Sequence, residues 1–137
     1  MKNKVLVIAL ALVLVFSCTV AAFADSGIQP YDTGSVTFSI ERTSGTTATA
    51  DVIVNFTRVA EEYNVVVYLQ KLVNGVWKND NTNPEYVFYN NGFNSTYCHF
   101  SHNYDSLSYG TTYRLMVISR DKYATEEYRA TTYSNPF

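Results

Sequence analysis

The chain has 137 residues, of which 47% are hydrophobic and 15% aromatic, and a formal charge of −2. A mildly acidic chain lacks the basic footprint with which nucleic-acid binders neutralise phosphates, and it has no basic stripe for anionic lipid surfaces. Its length suits one domain built around one core and excludes two.

The N-terminus reads as a targeting segment. Lys2 and Lys4 precede an apolar run from Val5 to Phe16, and Ala22-Phe23-Ala24 has the small-x-small pattern of a signal-peptidase site. The run is short for a spanning helix and is soon followed by small and polar residues. Residues 1–24 are therefore expected to be a signal peptide. The product would be secreted, with no membrane span after cleavage. An alternative is a lipid anchor: Val15-Phe16-Ser17-Cys18 resembles the lipobox of bacterial lipoproteins, in which the cysteine is acylated. If residues 1–24 depart, Cys98 is the sole remaining cysteine. It can then form no intramolecular disulfide and no four-thiolate zinc site, and is expected as a small buried hydrophobe.

Asp25 to Ser35 carries two glycines and a proline without periodicity and reads as a flexible arm. From Val36 the pattern alternates: Val36, Phe38 and Ile40 against Thr37, Ser39 and Glu41, a half-buried strand. After the turn signal Thr43-Ser44-Gly45-Thr46, the run Ala48, Ala50, Val52, Val54, Phe56 predicts a second, longer strand. Arg58 to Tyr63 reads as a charged link. Asn64 to Leu72 predicts a third strand, ended by Asn74-Gly75, which tolerate the positive φ of a tight hairpin turn and return the chain as Val76-Trp77-Lys78. Asn79 to Pro84 is a polar loop. Glu85–Tyr89, Thr96–Phe100, Thr112–Arg120 and Thr125–Tyr133 complete the predicted strands. Turn signals about every ten residues, without helical periodicity, predict an all-β domain over residues 36–137, an antiparallel two-sheet sandwich of about seven strands. A small closed barrel is the alternative. The expected core is Phe38, Val52, Val54, Val65, Val67, Leu69, Tyr113, Leu115 and Val117.

Two resemblances support this. Leu107, Gly110, Tyr113, Leu115 and Val117, within Leu107–Val117, resemble the E–F corner of fibronectin type III and immunoglobulin-like domains. The likeness implies a tyrosine whose ring is buried and whose hydroxyl bonds backbone across the corner. The tryptophan usual early in fibronectin domains is missing. Across more of the chain, the order of signal, Gly27–Tyr31, Val65–Trp77 and Gly110–Val117 is similar to a group of small secreted Firmicutes proteins. That likeness implies export and an all-β fold, and brings no site with it.

Three features invite chemistry. Cys98, His99 and His102 lie close together, the pattern of a metal site or a cysteine nucleophile in a small secreted hydrolase. In a strand, however, residues three apart point to opposite faces. Cys98 and Phe100 are expected inward and His99 outward beside Tyr97, with the histidines on a solvated surface. Asp80, Asn81, Asn83 and Glu85 form an oxygen-rich loop, but Pro84 interrupts it and it lacks the alternating acids and glycine of a calcium loop. An ordinary turn accounts for it. The acid pairs Glu61-Glu62 and Glu126-Glu127 diverge on strands. No phosphate-cradling loop and no serine elbow is present in the sequence. No metal, cofactor or catalytic residue is assigned.

The third feature is aromatic. All 12 tyrosines follow residue 24. Aromatics suit half-buried strands, and tyrosine also gives rigid amphipathic contact area at low entropic cost. The strand Asn64–Leu72 is apolar on both alternations. With Val65, Val67 and Leu69 inward, Val66 and Tyr68 face out; with Tyr113, Leu115 and Val117 inward, so do Met116 and Ile118. If these strands are neighbours, Val66, Tyr68, Met116 and Ile118 adjoin, with Trp77 contributing from the hairpin. Such a patch needs either a cover, from Gly27–Tyr31 or Tyr133–Phe137, or a partner. The expectation is a non-catalytic exported module binding a protein or glycan at or outside the cell envelope. A secreted toxin or inhibitor is an alternative.

Overall fold

The computed structural model describes residues 33–137. The expected signal peptide, Cys18 and the arm up to Asp32 lie outside the described residues. The strands are β1 (Thr33–Arg42), β2 (Ala48–Val73), β3 (Val76–Asn79), β4 (Val87–Tyr104), β5 (Tyr113–Tyr123) and β6 (Glu126–Tyr133). Every pairing is antiparallel, and there is no helix among the described residues. The domain is all-β. β1 begins at Thr33, inside the stretch expected to be an arm.

Eight predicted strands became six because two pairs are continuous. β2 runs through the supposed charged link, and β4 runs through Asn90–Asn94. A straight strand of 26 residues would extend about 85 Å, far beyond a domain of this size, whose radius of gyration is about 13 Å. It therefore bends. The register between β2 and β4 passes from Asn55↔Tyr97 to Ala60↔Ser95, so Phe56 to Val59 are opposed by Thr96 alone. Surplus residues on one strand bend and twist it. β4 follows the turn with Asn94 at φ 50°, a left-handed conformation that asparagine tolerates.

The bend divides one sheet into two halves. In the first, the start of β2 is flanked by β1 on one side and by the end of β4 on the other, paired along Ala48–Asn55. In the second, Ala60–Val73 of β2 pairs with the start of β4 and with β3 on one side, and with β5 on the other; β6 follows β5. The halves curl until their inner faces meet, with Phe88 from one half 5.1 Å from Phe100 and 4.3 Å from His102 in the other (ring centroids). β1 and β6 edge the sheet on the side away from β4, with a groove of about 540 Å³ between Gly34–Val36 and Arg129–Thr132. The sheet is thus a curled half-barrel, neither two separate sheets nor a closed barrel.

The interior follows the period of two. Of the expected core, Val52, Val54, Val65, Val67, Leu69, Tyr113, Leu115 and Val117 are buried, and Phe38 packs against them half-buried. The hairpin turn Asn74-Gly75 has both φ angles positive, 51° and 77°, as a two-residue turn matched to strand twist requires.

The corner before β5 is built on Tyr113. Its ring is fully buried and its hydroxyl accepts the Ser108 N–H at 3.0 Å. The same hydroxyl donates to Asp80 Oδ2 at 3.4 Å. The C-terminal residues extend this wall. Ser134 N–H donates to Leu115 O, Phe137 N–H donates to Tyr113 O, and the Phe137 ring stacks on Tyr113. From Ser134 onward the tail therefore closes the inner side and does not cover the outer face.

Candidate functional site

The outer face of the second half carries the patch. Backbone register places Val66 opposite Ile118 and Tyr68 opposite Met116. The same register adds neighbours on both flanks. One rung reads Tyr89, Val66, Ile118, Thr131 across β4, β2, β5 and β6, and the next reads Val87, Tyr68, Met116, Tyr133. Cross-strand neighbours of this kind lie about 5 Å apart and touch, which is why Val66, Tyr68, Met116 and Ile118 are half-buried by one another. Tyr89 and Tyr133 remain 67% and 48% exposed. Burial, with Tyr89 beside it, holds the Tyr68 hydroxyl above the usual tyrosine range.

Trp77 joins at one end through Arg114. The guanidinium lies 4.5 Å from the Trp77 ring centre and 4.1 Å from that of Tyr133, so it is held between two π faces. Its Nε donates to Gln70 Oε1 at 2.9 Å, and Gln70 Nε2 donates to Asn79 Oδ1. Arg114 and Val87 were not among the residues singled out from the sequence, and Tyr133 was expected in a cover over the face, not in the face itself. The alternation Arg114, Met116, Ile118 carried the signal for the first of them. The others needed knowledge of which strands are neighbours.

The cysteine–histidine stretch is distributed over two faces. Cys98 is buried against Val54, and burial pushes its thiol up to about 11, so it is protonated at neutral pH. His99 faces outward and lies 3.2 Å from Asp51 Oδ1. Hydrogen bonds from Ser101 and His99 hold the Asp51 carboxyl below its usual range. His102 corrects the expectation of two solvated histidines. It faces inward opposite Ala50, its ring packed on Phe88 and 4.8 Å from Tyr104, with Nε2 3.3 Å from Glu85 Oε1. The inner position follows from parity with Cys98 and Phe100. No group of three or more potential ligands is assembled for a metal among the described residues.

The oxygen-rich loop is occupied by its own bonds. Asp80 is buried, with Oδ1 2.6 Å from Lys71 Nζ and accepting from Thr82 Oγ1. Burial pushes its pKa up, but the bonds from Lys71, Thr82 and Tyr113 outweigh it and hold the carboxyl below its usual range. Asn83 donates to Ser106 O and accepts the Glu85 N–H. These side chains brace the loop against the Tyr113 corner.

Comparison of this chain with protein families, with characterised proteins and with solved structures finds no match to any of the three.

Proposed function

We propose that the protein is a non-catalytic exported binding module whose ligand docks on the outer face formed by Val66, Tyr68, Trp77, Met116 and Ile118. The observation that carries this reading is the pair of apolar and aromatic rungs crossing four strands on the side of the sheet turned away from the core. Outward strand positions ordinarily meet water and are polar, and a contiguous outward apolar patch marks an interaction surface. Export is supported by the charged, apolar and small-residue regions of residues 1–24; anchoring through Cys18 would place the same face at the cell surface. The corner at Tyr113 supports a likeness to immunoglobulin-like sandwiches, local to Leu107–Val117. A toxin or inhibitor would use the same face. Hydrolysis through Cys98 is disfavoured by its buried, protonated thiol and by the placement of His99 on the opposite face.

The test is Tyr68→Ser with Met116→Ser, compared with the wild-type protein for retention of envelope or culture-supernatant partners and for self-association. Binding is expected to fall at least about tenfold, with a circular dichroism spectrum unchanged. The accompanying loss of stability should be about 1 kcal/mol, a shift of about 4–8 °C in melting temperature. Unchanged binding with a much larger drop would make the patch internal packing. Loss of function in Cys98→Ala, His99→Ala and His102→Ala with the fold intact would instead favour the hydrolase.

A further inference from the structure

The outer face of the second half is cationic as well as aromatic. Register puts Arg114, Arg120 and Lys122 of β5 and Arg129 of β6 on the same side as Tyr68 and Met116, against Glu62 and Glu127. Arg120 is paired with Glu127 at 2.6 Å. Arg114 has no carboxylate partner among the described residues. Its two aromatic neighbours and its Nε bond to Gln70 fix the plane of the guanidinium, and its Nη groups have no hydrogen-bond partner among the described residues. A fixed guanidinium with open Nη donors is a carboxylate receptor, since the planar fork matches two carboxylate oxygens. In a chain whose formal charge is −2, this segregation is complementary to an anionic ligand.

The rest of the face narrows the class. Tyr68, Tyr89, Val66, Met116 and Ile118 occupy the middle of the face, between the cations at either end. Flat aromatic faces suit the C–H faces of sugar rings. Neighbouring strands are about 4.8 Å apart, close to the length of one sugar unit, so the strands offer successive subsites along a rung. Beside the rungs, Glu62, Tyr63, Asn64, Arg120, Lys122 and Glu127 line a mainly polar hollow of about 80 Å³ that can take hydroxyl groups. An extended peptide laid across the middle of the face would fare worse, because β2 and β5 are hydrogen-bonded on both sides and leave no backbone partners for its amides, which only the flanking strands β3 and β6 could offer.

Taking the outer face as the binding surface, we propose that its ligand is an acidic polysaccharide: a chain of sugar rings stacked on Tyr68 and Tyr89, with a carboxylate held by Arg114 between Trp77 and Tyr133. The chain has one tryptophan, so the fluorescence of Trp77 reports on the site directly. Purified protein is titrated with polygalacturonate, with dextran as the neutral polymer, and with phosphatidylglycerol-containing vesicles. Trp77 emission should shift with polygalacturonate and not with dextran. The apparent affinity should fall about tenfold between about 50 and 500 mM salt, and by a similar factor in Arg114→Gln. Arg114→Lys, which keeps the charge and loses the fork, should recover only part of it.

Silence towards polygalacturonate, alginate and hyaluronate alike overturns the ligand class, as does an equal response to dextran. Binding to the vesicles alone would replace the polysaccharide with a membrane surface. The binding face itself survives those results if Tyr68→Ser with Met116→Ser still abolishes partner retention or self-association. Polysaccharide binding that is unaffected by both that variant and Arg114→Gln would overturn the face as well.

Discussion

The two halves of the curled sheet share their interior and differ on the outside. On the first half the outward rungs are Ser39, Asp51, Ser101 and Thr37, Ile53, His99, flanked by Glu41, Thr49, Asn103 and by Ser35, Asn55, Tyr97. That face is largely polar, as a strand face turned to water ordinarily is. On the second half the equivalent positions hold Val66, Tyr68, Met116 and Ile118 between Tyr89 and Tyr133, with arginines at the ends. Both halves alternate with the same period and bury the same kind of inner residues, Val52 and Val54 in one, Val65, Val67 and Leu69 in the other. An apolar outer face is therefore not a requirement of this architecture. The first half acts as an internal control for the second.

The comparison breaks most severely from inside. Leu115 is fully buried between β2 and the C-terminal residues. Leu115→Ala should cost about 3 kcal/mol through lost transfer energy and the cavity left behind. A urea titration should show a lower midpoint at unchanged slope. A loss below about 1 kcal/mol would mean the shared interior does not hold the second half.

A smaller loss is expected at Asp80, where the loop, Lys71 and the Tyr113 corner meet. Asp80→Asn leaves the partly exposed Lys71 without its counter-charge and should cost about 2 kcal/mol. Because the folded carboxyl titrates below its unfolded value of about 3.9, its stabilisation is fully present above that pH. It is lost as pH falls through the lower folded value. Urea midpoints of the wild type should therefore decline more steeply below about pH 4 than those of Asp80→Asn. Parallel acid limbs would remove Asp80 from the account.

The sharpest use of the internal control is on the outside. Ile53→Ser with Tyr97→Ser, on the polar half, should change stability by no more than about 0.5 kcal/mol and leave binding intact. Tyr68→Ser with Met116→Ser should spare the fold and remove binding. Equal effects from the two pairs would erase the distinction between the halves. The smallest effect concerns Cys98, whose thiol is pushed up to about 11 by burial. Native protein should resist alkylation by iodoacetamide at pH 8 and react only once unfolded, as judged by mass spectrometry. Rapid labelling would place the thiol at an accessible position.

Much of this was legible in the sequence, for a physical reason. In a strand the side-chain direction is set by the residue's parity, which is local information. Parity alone therefore assigned Val65, Val67 and Leu69 to one face and Val66 and Tyr68 to the other, and Asn74-Gly75 named its own turn. It also separated Cys98 from His99. The hydroxyl bond of Tyr113 matched what the corner pattern implied.

Tertiary structure decided what parity cannot. Whether two apolar runs are two strands or one bent strand depends on the partner that runs alongside. β4 accompanies β2 around its bend, so the charged residues from Arg58 to Tyr63 became part of a strand, with Arg58 bonded to Glu126 at 3.0 Å. Parity placed Arg114 and Tyr89 only relative to their own strands, and it took the lateral order β4, β2, β5, β6 to bring them together with Tyr133 in one surface. The same holds for Asp80, which lies 33 positions from Tyr113 in the chain and bonds to its hydroxyl. Lateral order is fixed by pairing between residues far apart in sequence, where the closure of long loops is repaid by the shared core. Period and turn chemistry are written in each segment; the composition of a face is written only in the register between segments.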